Sequence, residues 1–251
     1  MLIQPLIDTL NRLKLLGMAL ALGEQVAQPA AQELSFEDRL TLLLERESLH
    51  RENRRLTRLL QLAQLKERAV VEDIDYRARR GLDRSQLSSL ASCEWVRAGQ
   101  NLLIHGATGC GKTYLACALA HQACRQGLGA LYVRAPRLFE ELNLCHADGS
   151  FPKRLAAIAK TPLLVIDDFA IAPIGARERS DLLELLDDRV GSRSTLITSQ
   201  LPIEHWHEYI GDPTLADAIL DRLVHRSHRI HLQGKDSMRG RSHKAAAAAQ
   251  G

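Results

Sequence analysis

Residues 106–113 read Gly-Ala-Thr-Gly-Cys-Gly-Lys-Thr, directly after the apolar run Asn101-Leu102-Leu103-Ile104-His105 and at the start of a helical pattern over 112–125. A glycine-rich loop that leaves a strand and opens a helix matches GxxxxGK[ST] in full, in the strand-loop-helix context its chemistry requires. Gly106, Gly109 and Gly111 let backbone N–H groups around Ala107, Thr108 and Cys110 turn inward toward phosphate oxygens. The helix N-terminus adds the positive end of its dipole. Lys112 brings a charge to the β- and γ-phosphates, and the Thr113 hydroxyl is a ligand for Mg²⁺. A nucleoside triphosphate is therefore the expected ligand. No NKxD-like guanine-reading segment occurs, which favours ATP.

From that loop onward strands alternate with helices, the signature of a parallel α/β sheet. Strands are predicted at 101–105, 130–134, 163–167, 194–199 and 227–232. Helices are predicted at 112–125, 136–146, 151–159, 177–189 and in two segments within 203–224. The third strand reads Leu-Leu-Val-Ile-Asp-Asp-Phe, and two adjacent carboxylates repel unless a cation or proton neutralises them. Beside a phosphate loop this pair has a use. Asp167 holds Mg²⁺, and Asp168 is free to orient the attacking water as a general base. The fourth strand ends Thr198-Ser199-Gln200, whose polar side chains either sense the terminal phosphate and orient water or form an ordinary turn before Pro202. Arg222, in Ile-Leu-Asp-Arg-Leu, is either a salt-bridge partner or an arginine reaching a neighbouring subunit's nucleotide.

Residues 1–70 are leucine-rich and helical in pattern, with a break at 28–32 and a capping signal in Ser35 and Asp38 that opens a helix to about 65. On that helix Arg51, Arg54, Arg55 and Arg58 share one side, and Leu49, Leu56 and Leu60 fall opposite. Only Glu52 lies nearby in sequence to offset the arginines, so the face is either solvated or a phosphate-contacting surface. A linker at 71–79 separates this domain from the core at 80–233. The tail, 234–251, is basic and then alanine-rich, and is expected to be disordered. With a net charge of only +3, any argument for an acidic partner rests on such clusters. Five cysteines without CxxC spacing point to a reduced protein with neither disulfides nor a zinc ribbon. His225, His228 and His231 alternate faces along a strand and do not converge on a metal. Asp8, Arg12 and Lys14 interrupt the apolar N-terminus, so no membrane association is expected and the location is cytoplasmic.

The stretches 80–87 (RGLDRSQL), 101–124, 132–155, 163–169, 195–202 and 216–230 together resemble the IstB-type insertion-sequence helper ATPases. These belong to the AAA+ group close to DnaC-type helicase loaders. The resemblance implies an AAA+ P-loop core with a parallel five-stranded sheet and a small all-helical N-terminal domain. It implies Walker A at 106–113 running into Tyr114, and Walker B at Asp167-Asp168. Sensor 1 falls at Ser199-Gln200, and Arg222 becomes the arginine finger. Arg80 and Gly81 lie near the adenine, and the helical insert over 136–154, with Lys153 and Arg154, meets DNA. The implied activity is slow Mg²⁺-dependent ATP hydrolysis by a homo-oligomer assembled on duplex DNA, serving an IstA-type transposase. Gln200 stands where relatives often carry Asn, and Ala170 where they often carry Gly. About twenty residues follow the last strand, too few for a C-terminal lid. A helicase loader is the alternative reading. A small-molecule or nucleotide kinase is a third class, but it needs an acceptor pocket and usually a substrate lid, and this sequence offers no candidate segment for either.

Overall fold

Five parallel strands lie in the order β2-β3-β4-β1-β5. They are β1 (Asn101–Gly106), β2 (Ala130–Arg134), β3 (Leu163–Phe169), β4 (Ser194–Ser199) and β5 (Ser227–Leu232). The computed structural model describes residues 3–76 and 80–233. The tail and positions 77–79 of the linker lie outside the described residues. β3 and β4 are buried along almost their whole length; β3 reads as an apolar run as far as Ile166, whereas β4 is buried although four of its six residues carry hydroxyls. A strand order that places β3, β4 and β1 side by side brings the end of the Leu-Leu-Val-Ile-Asp-Asp run next to the glycine-rich loop.

Every crossover in the sheet is helical. The N-terminal elements are α1 (Gln4–Arg12), α2 (Leu16–Ala27), the single turn α3 (Pro29–Gln32) and the long α4 (Phe36–Ala63). Two short helices follow, α5 (Arg84–Ala91) and α6 (Glu94–Arg97), which the apolar periodicity does not announce. Then come α7 (Lys112–Arg125), α8 (Ala135–Asp148), α9 (Phe151–Ala159), α10 (Ala176–Asp187), α11 (Trp206–Ile210) and α12 (Pro213–Val224). No helix of the described residues is long and apolar enough to cross a membrane.

Two compact units divide at Arg58 and Leu59, within α4. In the first, Ser35 accepts a bond from the Asp38 N–H at 3.1 Å, so the helix opens where its capping signal stands. Farther along, the Glu47 carboxylate accepts the N–H groups of Gly17 at 2.7 Å and Met18 at 3.2 Å, together with Arg51 Nε at 2.6 Å. One carboxylate thus caps the start of α2 and restrains Arg51. Burial works to raise the pKa of Glu47, but the bonds from Arg51, Met18 and Gly17 outweigh it and hold the group below its ordinary value.

In the second unit two polar side chains organise the edge of the sheet where the strands begin. Arg189 is 1% exposed. Its guanidinium donates to the carbonyls of Ile158, Ala159 and Thr161, the last ones of α9 and its exit, and to Ser194 O and the Thr195 hydroxyl. Burial pushes its pKa down to about 9. Asn101, the first residue of β1, donates to Arg222 O at 2.8 Å and accepts from Thr195 N at 3.0 Å, tying α12, β1 and β4 together. At the opposite edge, Phe169 packs edge-on against the fully buried Trp206, with ring centroids 4.9 Å apart, and this anchors the turn that follows the two aspartates.

Candidate functional site

Gly106 opens the loop with φ +153°, and a Cβ there would lie 2.1 Å from Leu232 O, so the last strand passes too close for any side chain. Gly109 turns the chain in mid-loop with a left-handed backbone, φ +83°, as the glycine pattern requires. Gly111 stands before α7 with φ +94°, and no side chain caps the helix. The first N–H groups of α7 therefore point into the loop uncapped, a ready anion site. Lys112 Nζ lies over the same loop and donates to Gly106 O at 2.7 Å and Ala107 O at 2.9 Å. Arg80 is buried and donates to Cys110 O at 3.1 Å and Asp75 O at 3.1 Å. It therefore buttresses the loop from behind. Gly81, with φ +73°, packs against His231 O. The Tyr114 hydroxyl meets the Val70 backbone, and burial raises its pKa.

Asp167 has no exposed surface. Its oxygens accept the Thr113 hydroxyl at 3.0 and 3.1 Å, the Tyr132 hydroxyl at 2.6 Å and the Thr198 hydroxyl. Burial first, then Asp167, raises the Tyr132 pKa far above its ordinary value, so the phenol stays a donor. The hydroxyl of Thr113 and the carboxylate of Asp167 form a hard oxygen pair beside the loop, a set that fits Mg²⁺.

In a regular strand Asp168 would face away from Asp167. It does not, because Asp168 has φ +58° and the β3–β4 register shifts between Ile166 and Phe169. This bulge re-aims the second carboxylate along the sheet edge, where it meets Arg134 Nε at 2.9 Å. Its backbone N–H donates to Thr198 Oγ1 at 3.2 Å. Thr198 thereby links both aspartates. Ala170, two residues on, is also left-handed at φ +63°.

Gln200 belongs with this group, since its Oε1 accepts the Thr108 hydroxyl of the loop at 2.6 Å. Ser199 does not. It is fully buried, donates to Phe169 O at 2.8 Å and accepts from Leu201 N, so it shapes the turn instead. Arg222 is nowhere near the loop of its own chain. It sits at the edge where β1 begins, ion-paired to Asp187 and bonded to Ala218 O, about 17 Å of strand away from Gly106.

The basic residues divide in a similar way. Arg54, Arg55 and Arg58 are exposed on α4. Arg51 is held by Glu47, an acid one turn earlier that offsets it in addition to Glu52. On α9, Lys153 is exposed while Arg154 contacts Glu141 of α8 at 2.6 Å. Thr198, at the polar end of the fourth strand, joins the site from β4, while sequence patterning gave no warning of Tyr132 and Arg134, which join it from β2.

Comparison with known proteins matches residues 8–246 to the model of the IstB-like ATP binding proteins. An insertion-sequence ATP-binding protein of Sinorhizobium fredii, y4pL, is 47% identical over 98% of this chain and 100% of its own length. The ATP-binding protein of insertion sequence IS1162 from Pseudomonas fluorescens is 51% identical over 80% of this chain and 88% of its own. Among solved structures, DnaI aligns with a TM-score of 0.57 and 25% identity over 66% of this chain and 92% of its own. DnaA from Aquifex aeolicus, at 15% identity and a TM-score of 0.54 over 74% of this chain and 56% of its own, shares the fold of an AAA+ P-loop domain. With the matched family model spanning nearly the whole chain, the protein belongs to the IstB-like ATP-binding proteins of insertion sequences.

Proposed function

We propose that this protein is an Mg²⁺-dependent ATPase that assembles on duplex DNA and assists an IstA-type transposase, with hydrolysis resetting the complex. The observation that carries the reading is the joining of Lys112, Thr113, Asp167, Asp168 and Gln200 at one sheet edge while Arg222 stands at the other. In this reading Lys112 and the uncapped start of α7 bind the phosphates. Thr113 and Asp167 hold Mg²⁺, which when bound neutralises phosphate charge and orients the terminal group. Asp168 takes the proton of the attacking water once Arg134 releases it. Gln200, linked to the loop through Thr108, positions that water. Arg222 completes the site of a neighbouring subunit and stabilises the charge that develops in the transition state. Arg54, Arg55, Arg58 and Lys153 contact DNA phosphates, and Arg51 supports them from its bond to Glu47.

Helicase loading is the second reading, suggested by the fold shared with the DnaC helicase loader at a TM-score of 0.52 and 18% identity over 87% of that chain. Light scattering after size exclusion separates the two. A large complex that needs both ATP and duplex DNA, and that Arg222→Ala fails to form, supports assembly on DNA. A protein that stays monomeric in every condition refutes that reading and brings the loader forward.

A further inference from the structure

Asp167 is gripped from both sides by hydroxyls of the flanking strands, Tyr132 of β2 and Thr198 of β4. Tyr132 on β2 stands opposite Val165 in the parallel ladder, one step back on the same face as Asp167. Two residues of strand span about 6.6 Å, roughly the reach of a tyrosine side chain from Cα to hydroxyl. A tyrosine at 132 therefore touches the carboxylate, while a shorter side chain there would not. On the other side Thr198 of β4 donates to Oδ1 and at the same time receives the Asp168 N–H. Both contacts are buried, with Tyr132 7% exposed and Thr198 fully covered.

We propose that Tyr132, with Thr198 as its counterpart, is a positioning residue for metal binding: the two hydroxyls fix the plane of the Asp167 carboxylate so that its remaining lone pairs stay aimed at the Thr113 side. The inference rests on the reading of Thr113 and Asp167 as the Mg²⁺ site. With one of the two strand hydroxyls gone and the Thr113 hydroxyl turned to the metal, a single partner would remain, and the carboxylate could turn about its Cβ–Cγ bond out of the orientation that metal binding needs. Loss of an outer hydrogen-bond partner of this kind typically weakens metal affinity by about 10- to 100-fold. Tyr132→Phe is the informative change, because it keeps the ring that fills the space beside β3 and removes only the donor.

The experiment titrates a fluorescent ATP analogue into the full chain, first in EDTA and then with increasing Mg²⁺. For Tyr132→Phe the affinity in EDTA is expected to stay within about 2-fold of the parent, and the Mg²⁺ concentration at half-effect to rise about 10-fold. Thr198→Val should move it in the same direction, and Thr198→Ser, which restores the hydroxyl, should return it toward the parent value. A Mg²⁺ midpoint unmoved in Tyr132→Phe overturns the proposal. So does an equal loss of affinity in EDTA, which would mark Tyr132 as packing alone. A parent chain that binds no analogue in either condition overturns the nucleotide reading itself, an outcome distinct from both.

Discussion

Arg134 and Asp168 offer a direct test of how hydrolysis is restrained. The guanidinium Nε lies 2.9 Å from the carboxylate, with Arg134 about half exposed and Asp168 largely covered. An ion pair of that kind is worth about 1 kcal/mol, at the upper end for exposed pairs because one partner is sheltered. While the pair is made, Asp168 Oδ2 is engaged by the guanidinium and is not available to orient a water. Arg134→Gln removes the charge and keeps much of the side chain, so the population of unpaired Asp168 should rise by about 5-fold, the equivalent of 1 kcal/mol. Basal ATP hydrolysis, followed by phosphate release at saturating ATP, should rise by the same factor with ATP affinity unchanged. Because salt screens a half-exposed pair, the parent rate should climb toward the variant's as ionic strength increases, and the variant's should stay flat. A basal rate in Arg134→Gln that is unchanged or lower than the parent's would refute the idea that this pair holds Asp168 in reserve.

Other substitutions probe the frame. Ala170→Gly relieves a left-handed alanine, worth about 1–2 kcal/mol, against an entropy loss of about 0.4–1 kcal/mol, so a small rise in the urea midpoint is expected. Gly17→Ala places a methyl 2.7 Å from Arg46 O and Glu47 Cα and should destabilise the N-terminal unit by about 1–3 kcal/mol, read from the loss of protease resistance over residues 1–58. Arg189→Leu strands the carbonyls of Ile158, Ala159, Thr161 and Ser194 and should cost about 3–5 kcal/mol in denaturant unfolding, with Arg189→Lys recovering little. Glu47 has a pKa below its ordinary value near 4.5, so the stability it contributes is present above that pH and is lost as pH falls through the lower folded value. Glu47→Gln should flatten acid unfolding of the N-terminal unit in that window.

Much of the site was legible because it is local. The loop at 106–113 carries its own conformation, and the run ending in Asp167 declares both a buried strand and a place beside that loop. What stayed hidden is contributed across strands. Tyr132 and Arg134 precede the aspartates by 35 and 34 positions, and only the β2–β3 register brings them together. The direction of Asp168 was equally invisible, since two-residue alternation sends it to the wrong face and the bulge corrects it. Ser199 misleads in the opposite sense: a polar residue at a strand end that turns inward to Phe169 O. Arg189 reads as one more surface arginine until its partners are seen to be carbonyls. Glu47 stands one turn before Arg51 in plain view, and its role emerges only when the start of α2 arrives beside it.

The separation of Arg222 from the loop has a numerical consequence for any assembly that uses both. Because the two halves of a site lie at opposite ends of the same strands, neighbours must join head to tail, through unlike surfaces, and such a contact repeats until it closes on itself or runs out of subunits. An open row of n chains then holds n minus one complete sites, with one loop idle at one end and one arginine idle at the other. A closed ring holds n. Hydrolysis per subunit would thus climb with concentration from zero for a lone chain, and its plateau would report whether the ends have met.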